Sequence, residues 1–350
     1  MGVLWLGLGL AAVSVAILDV VWTAAAAGSG AGPLSGRLSA QLWRAALAVG
    51  RRPGGPRHRL LTLSGITLVV VMVLMWAALA WVGWWLVFSA SDGAVVDAAS
   101  GQPASLIERL QFAGASLFAL GSNELSAGSG AWQFATIGAT ATGIVFVTLA
   151  ISYFVPVASA LADARQLGAY VSSLGESPEE ILGRAWTNGS VKGLEQHLVA
   201  ITPMVHALAE RHLTYPVLQY FHSGRERTSP ALSLVSLDET LTLLRWGIDP
   251  ADRPDPVTVE PLARAIGWYL DTVQGAFVGK VSEPLPSAGL AALRDLGIPT
   301  VDDDTYRSAL EKQVSRRCQL ARMLVDDGWY PEAWVRRMAA IRSASAAGRA

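Results

Sequence analysis

The sequence predicts an all-α membrane protein with three transmembrane helices, a short re-entrant helix between the second and third, and a cytoplasmic α-helical domain. Composition is the first observation. A chain of 350 residues with 52% hydrophobic residues, 16% charged residues and a mean hydropathy of +0.37 is too apolar for an ordinary soluble protein. Clustering is the second observation. Residues 3–27, 60–88 and 133–157 each exceed the roughly 20 apolar residues that a helix needs to cross a bilayer core.

The first span, within residues 1–30, has two interpretations. We expect a peripheral transmembrane helix, but the small residues 24–27 also resemble the cleavage region of a signal peptide. Three features favour the transmembrane helix over a signal peptide. The segment has no positively charged start, it is longer than the apolar core of a signal peptide, and it contains Asp19. Ionisable groups inside a span are functional candidates by default. Alternatively, the Asp19 side chain reaches the interface or pairs with Arg37 or Arg44.

The charges between the spans predict the orientation. Residues 31–59 contain six arginines and no acidic residue, whereas residues 89–104 contain only Asp92 and Asp97. Arginine-rich loops remain on the cytoplasmic side. We therefore expect a multi-pass protein of the plasma (inner) membrane with its N-terminus outside and its C-terminal domain cytoplasmic. Apolar residues alternate with Arg37 and Arg44 in the linker 31–59, which predicts an amphipathic helix on the inner membrane surface.

The segment after the second span is too short to cross the membrane. Ser105 and Glu108 have the spacing of a capping box, and the helix that they start is predicted to run to Leu120. Roughly 15 helical residues rise only about 22 Å, so the chain enters the membrane and returns at Gly121. Non-helical backbone at that depth is tolerated only where it is buried in protein or lines water. The alternative is an interfacial helix packed over the spans without a conduit.

From residue 60 to residue 160 the order of elements resembles the bacterial two-transmembrane-helix potassium channel family: outer helix, pore helix, filter loop and inner helix. The family's filter has the form T-[VL]-G-[YF]-G-D. Leu120 and Gly121 match this form and Glu124 matches it conservatively, whereas Ala119, Ser122 and Asn123 depart from it. Trp132 and Gly143 stand where the family has a tryptophan after the filter and a hinge glycine in the inner helix.

The resemblance implies a homotetrameric cation channel whose ion filter comprises Ala119, Leu120, Gly121, Ser122, Asn123 and Glu124. Such a filter replaces the hydration shell of the ion with carbonyl oxygens and a threonine hydroxyl, and Ala119 lacks that hydroxyl. Asn123 replaces a glycine but tolerates positive φ, and Ser122 is too small to brace the filter as an aromatic ring does. We expect a weakened or non-selective filter, with potassium or another monovalent cation as the permeant ion and no cofactor.

Two of these residues have competing roles. Glu124 contributes to a ring of carboxylates at the outer mouth that concentrates cations, or it is a solvated loop residue. Gly143 is the bend point of the inner helix, or it permits close helix packing as small residues do in membranes.

Residues 161–350 have the composition of a soluble helical domain. Ser177 and Pro178 predict a helix start, and apolar stripes with spacings of three and four predict helices over 194–212, 234–247, 259–273 and 310–328. No strand pattern is evident. His197, His206, His212 and His222 lack the spacings of a metal site, so no metal is predicted.

Other function classes have less support. No nucleophile–base pair or metal constellation is visible, which predicts that the protein is not an enzyme. The single cysteine, Cys318, excludes an intramolecular disulfide, and the net charge of -1 gives no reason to expect nucleic-acid binding. The sequence therefore favours a potassium-channel-like cation channel, with a pore domain over 60–160 and a helical regulatory domain over 161–350. The alternative is a non-conducting membrane receptor or scaffold whose cytoplasmic domain binds a partner or ligand.

Overall fold

A computed structural model describes residues 1–25, 31–50, 57–274, 283–329 and 334. The chain is mostly helical (77%). Among the described residues, three helices are long and apolar enough to cross a membrane: α1 (Gly2–Ala25), α3 (Arg57–Phe88) and α5 (Gly130–Leu174). These helices confirm the predicted all-α membrane class. The third helix continues well beyond the predicted span, which ended at residue 157, because polar residues after that point keep a helical pattern.

The chain forms two compact units. The first comprises Met1–Arg44 with Ile66–Ala158, and the second comprises Ala45–Gly65 with Ser159–Ala350. In the first unit α1 packs antiparallel to α3. Gly9 and Gly83 allow the backbones to touch, because a Cβ built on Gly9 lies 2.6 Å from the carbonyl oxygen of Gly83. Small residues at such crossings are typical of helix pairs in membranes.

The connection between α3 and α5 carries a short helix, α4 (Leu106–Leu117), flanked by two strands. Strands β1 (Val95–Asp97) and β2 (Leu125–Ala127) pair antiparallel, with Val96 opposite Ser126. The predicted all-α class included no strands in this connection, so the pairing is a departure from it. Three residues are too few to produce a recognisable alternation, so the pairing is decided by the two ends of the connection meeting in space.

The remaining helix of the first part of the chain is α2 (Pro33–Gly50), which covers the predicted amphipathic linker helix. In the described part of the second unit the named elements are all helices, and strand-like pairing is limited to two isolated bridges, Thr187 with Ser190 and Ile248 with Thr300. Its helices are α6 (Pro178–Ala185), α7 (Lys192–Thr214), α8 (Pro230–Thr242), α9 (Pro256–Gln274), α10 (Leu290–Asp295), α11 (Asp303–Glu311) and α12 (Val314–Asp326). A π-helical turn, Leu243–Gly247, extends α8.

The apolar stripes form the core of this unit. Ser177 caps α6 as predicted, and the stripe of α7 from Leu194 to Leu208 is at most 3% exposed. The stripes over 234–247 and 259–273 are buried in the same cluster. The last predicted helix was wrong as a single element, since α11 ends at Glu311 and α12 begins at Val314. Periodicity alone does not detect a break of two residues. Val314, which belonged to the predicted apolar stripe, is 44% exposed at the start of α12.

Candidate functional site

Helix α4 is held against α3 by tryptophan side chains. The capping box predicted at its start is present, because Ser105 Oγ accepts from the backbone N–H of Glu108 at 3.3 Å and Glu108 accepts from the N–H of Ser105 at 2.6 Å. Trp85 Nε1 donates to the carbonyl of Leu106, and Trp81 Nε1 donates to that of Leu110 at 2.9 Å. These bonds fix α4 alongside the last turns of α3.

The other end of α4 lies against α5, about a third of the way along that helix. Thr140 Oγ1 donates to the carbonyl of Ser116 at 2.9 Å, and a Cβ on Gly143 lies only 1.7 Å from the carbonyl oxygen of Leu117. Gly143 is roughly 20 Å along α5 from its first residue, at 1.5 Å per residue. The rings of Phe88 and Trp132, at the adjoining ends of α3 and α5, are 6.4 Å apart. The connection therefore extends roughly 20 Å along α5 and returns.

Helix α4 ends three residues before the predicted end, in a Schellman motif. Leu120 N–H donates to the carbonyl of Ala115 at 2.8 Å and Ala119 N–H donates to that of Ser116 at 3.2 Å. This motif needs a left-handed residue, which is Ala119 with φ of 57°. Gly121 also has positive φ, at 73°, whereas Asn123 does not. The expectation that Asn123 adopts positive φ was therefore wrong. The two loop residues with positive φ, Ala119 and Gly121, are separated by Leu120.

The loop after α4 presents its backbone outward. In the described part of the chain, no hydrogen-bond donor reaches the carbonyl oxygens of Ala119, Leu120, Gly121, Ser122 or Asn123. The loop is nevertheless anchored at its far end. Ser122 Oγ accepts from the N–H of Leu125 at 3.1 Å, and the carbonyl of Glu124 accepts from the N–H of Ala98 at 2.8 Å. The six predicted filter residues thus form one strip, which is anchored at its far end and exposed except at the half-buried Ser122.

A cavity of about 500 Å³ lies beside this strip, in the angle between α4 and α5. Its walls combine loop residues with hydroxyl and amide side chains of the two helices: Ser116, Ala119, Gly121, Ser122, Gln133, Thr136 and Thr140. Gly143 lies at the contact between α5 and the end of α4. This geometry supports the close-packing role of Gly143, while its role as a hinge stays a prediction.

Arg109 anchors the start of α4 and was not singled out in the sequence. Its side chain is buried, its Nε donates to the carbonyl of Ala104 at 2.9 Å, and its Nη2 forms an ion pair with Asp92 at 3.0 Å. A buried guanidinium requires such partners. The sequence does contain a sign of this anchoring role, because an arginine lies inside a predicted apolar helix.

Asp19 caps α2 and forms no ion pair with Arg37 or Arg44. The carboxylate is 1% exposed, and it accepts hydrogen bonds from the backbone N–H groups of Leu34 and Ser35, from the Ser35 hydroxyl and from Trp76 Nε1. The first N–H groups of a helix lack partners within the helix and carry its positive dipole end. The buried carboxylate of Asp19 accepts hydrogen bonds from these N–H groups and places a negative charge at the positive end of the helix dipole. Its presence inside a span is therefore explained by a structural role.

Two ion pairs lie in the interior of the second unit. Consecutive acids of α8, Asp238 and Glu239, meet consecutive arginines of α12, Arg316 and Arg317. Arg317 also donates to the carbonyl of Leu285 through Nε at 3.0 Å. Burial raises the pKa of Glu239 from 4.5 to about 7, although the charge of Arg317 opposes the shift. Sequence analysis missed these pairs because isolated charges in a helix usually face solvent.

The four histidines that the sequence analysis considered as metal ligands lie in different surroundings. His197 meets the Tyr170 hydroxyl at 2.9 Å, while His212 Nδ1 contacts the carbonyl of Leu208 and burial lowers its pKa. His206 is exposed on α7, and His222 contacts His58. Within the ranges that the structure describes, no three metal-ligating side chains come together.

Comparison with curated proteins finds a bacterial relative. The chain is 30% identical over 309 residues to a protein of Bacillus subtilis (strain 168) named "Uncharacterized membrane protein YdjJ". The alignment covers 88% of this chain and 89% of the relative. No family profile matches the chain. No solved structure matches it either.

Proposed function

The chain belongs to the same family as the uncharacterized membrane protein YdjJ of Bacillus subtilis, and from that premise we propose that it is a potassium-channel-like cation channel of the plasma membrane. Its pore is formed by the loop from Ala119 to Glu124 in four copies of the chain. One observation carries the proposal: α4 ends against α5 at Gly143 and leads into a strip of backbone carbonyls that accept no hydrogen bond from the described residues.

The depth of this strip gives the first argument. If α3 and α5 cross the bilayer, the adjoining ends of these helices lie on one side of it, and the contact of Leu117 with Gly143 lies roughly 20 Å deeper. Unpaired carbonyls at such a depth need water, an ion or another protein surface, because hydrocarbon offers no donor. A water-filled pore satisfies this requirement.

Symmetry gives the second argument. One loop supplies oxygens from one side only, whereas the hydration shell of a cation must be replaced from all sides. A fourfold arrangement of the loop achieves this, as the resemblance to two-helix potassium channels implies. The C-terminal end of α4 carries the negative end of the helix dipole and points toward the same strip, which favours cations over anions.

The chemistry of the loop predicts weak selectivity. Ala119 contributes no hydroxyl, and its left-handed φ of 57° belongs to the Schellman motif that ends α4. A threonine at this position would be strained, because β-branched residues rarely adopt positive φ. Ala119→Thr is therefore a poor way to test the filter. Asn123→Gly restores the second glycine of the family's filter without adding bulk and makes positive φ accessible at a position where Asn123 does not adopt it. It is therefore the variant that we expect to increase the ratio of potassium to sodium flux.

Cation flux into proteoliposomes tests the proposal with the full-length protein. Glu124→Cys places a thiol on an exposed loop residue, and Ala99→Cys places one on an exposed residue of the same connection outside the loop. A positively charged thiol reagent should block flux through E124C and leave A99C unaffected. The absence of flux in every form, or equal block of the two variants, would contradict a pore at this loop. The protein would then be a non-conducting membrane receptor or scaffold.

A further inference from the structure

The exposed face of α2 carries two arginines with guanidinium groups that no other side chain engages. Arg37 and Arg44 are both exposed and lie two helical turns apart, so they project from the same side of α2. In the described part of the chain neither forms an ion pair. Arg44 Nε donates to the carbonyl of Ala40 at 3.1 Å, which leaves its Nη groups for a ligand. We refer to Arg37 and Arg44 as the arginine row.

The opposite face of α2 is fixed to the transmembrane helices. Ser35, Ser39 and Trp43 on this face are at most 3% exposed. The carboxylate of Asp19, on α1, accepts hydrogen bonds from the backbone N–H and the hydroxyl of Ser35, and it also accepts from Trp76 Nε1 on α3. Because α2 cannot roll about its axis without breaking these bonds, the arginine row stays on the side opposite Ser35.

The bond to Asp19 also sets the depth of α2 in the membrane. Asp19 precedes Ala25, the last residue of α1, by six residues, which corresponds to about 9 Å along the helix. If α1 crosses the bilayer, the first turn of α2 therefore lies about 9 Å from the end of the span. Helices that lie in the membrane interface are found about 5–10 Å deep, and arginine side chains there extend toward the headgroups. The arginine row is thus placed to contact lipid phosphates.

Charge complementarity identifies the lipid. The sequence between Asp19 and Asp92 contains six arginines and no acidic residue, so no local carboxylate competes for them. Clusters of about four to eight basic residues beside a transmembrane helix attract anionic lipids. The planar guanidinium group also matches the oxygens of a phosphate. A zwitterionic headgroup fits less well, because its ammonium group would meet two positive charges.

We propose that the arginine row is a docking site for the phosphate of an anionic phospholipid, which α2 holds at the membrane surface beside α1. The site uses none of the residues assigned to the pore, so it does not depend on whether the protein conducts ions.

Native mass spectrometry of the full-length protein in detergent tests this proposal. The protein is titrated with phosphatidylglycerol or with phosphatidylcholine of the same acyl chains, and the affinity for the first bound lipid is measured. We expect phosphatidylglycerol to bind about thirtyfold more tightly, as two arginine contacts predict. The double variant R37Q/R44Q should bind both lipids equally. The matched double variant R225Q/R264Q, which removes two exposed arginines of the second unit, should keep the preference.

Equal binding of the two lipids to the wild-type protein would overturn the proposal, as would a preference that R37Q/R44Q retains or that both double variants lose.

Two measurements on the wild-type protein need no folded variant. Raising ammonium acetate from about 0.1 M to about 0.5 M should remove most of the preference for phosphatidylglycerol, because salt screens exposed charges. A preference that is insensitive to salt would contradict the arginine row as its cause. Glycerol 3-phosphate at millimolar concentration should not displace the lipid. Displacement would indicate a soluble phosphate ligand and would overturn the assignment to a lipid.

Discussion

The contact between Gly143 and the end of α4 makes the sharpest prediction. A Cβ on Gly143 lies 1.7 Å from the carbonyl oxygen of Leu117 and 2.8 Å from its carbon, whereas an ordinary contact is at least 3.4 Å. The obstructing atoms belong to the backbone, so no side-chain rotation relieves the clash. Gly143→Ala must separate α4 from α5 or bend one of them.

The magnitude follows from two opposing terms. Overpacking of a helix contact costs about 1–3 kcal/mol, occasionally more, and the higher helix propensity of alanine returns up to about 1 kcal/mol. We expect a net loss of about 2 kcal/mol. At about 2–4 °C per kcal/mol for a domain of this size, the melting temperature should fall by about 4–8 °C.

Thermal unfolding of the full-length protein in detergent measures this shift. Gly7→Ala is the matched control, because Gly7 lies in the apolar helix α1 and a Cβ there meets no atom within 4 Å. G7A should melt at or slightly above the wild-type temperature. If G143A melts as high as G7A, the packing explanation is wrong. Changed ion flux with unchanged stability would then favour the hinge role of Gly143.

Three further predictions concern buried charges. Asp19→Asn places an amide group opposite donors that need an acceptor, so the free energy of unfolding should fall by about 1–3 kcal/mol for the group left unpaired, measured by the same thermal scan. The folded state binds a proton at Glu239 more tightly than the unfolded state, so this stabilising contribution is complete below about pH 4.5 and is lost as pH rises through about 7. It amounts to about 3 kcal/mol, and Glu239→Gln should make stability correspondingly less dependent on pH between 5 and 8. Arg317→Met leaves Glu239 buried without its partner and should cost about 3–5 kcal/mol, whereas the double variant E239Q/R317M should recover most of the loss; equal melting of the single and double variants would contradict the pairing.

The sequence determined the helical framework of this protein. Three apolar runs predicted α1, α3 and α5, because the length and apolarity of a span are local properties. The capping box at Ser105 and the cap at Ser177 were also predicted correctly, since a cap depends on residues within one turn. The stripe from Leu194 to Leu208 faces the core as its spacing requires.

The tertiary structure decided which distant groups meet. Asp19 caps a helix that begins after it in the chain, Glu239 pairs with Arg317 on another helix, and His58 contacts His222 from the first turn of α3. No pattern of spacing encodes these contacts, because they depend on how helices pack. The same holds for Gly143, since only the approach of Leu117 makes a glycine necessary there. Local propensity thus sets where along the chain the helices lie, and the partners of buried polar groups are set by packing between the helices.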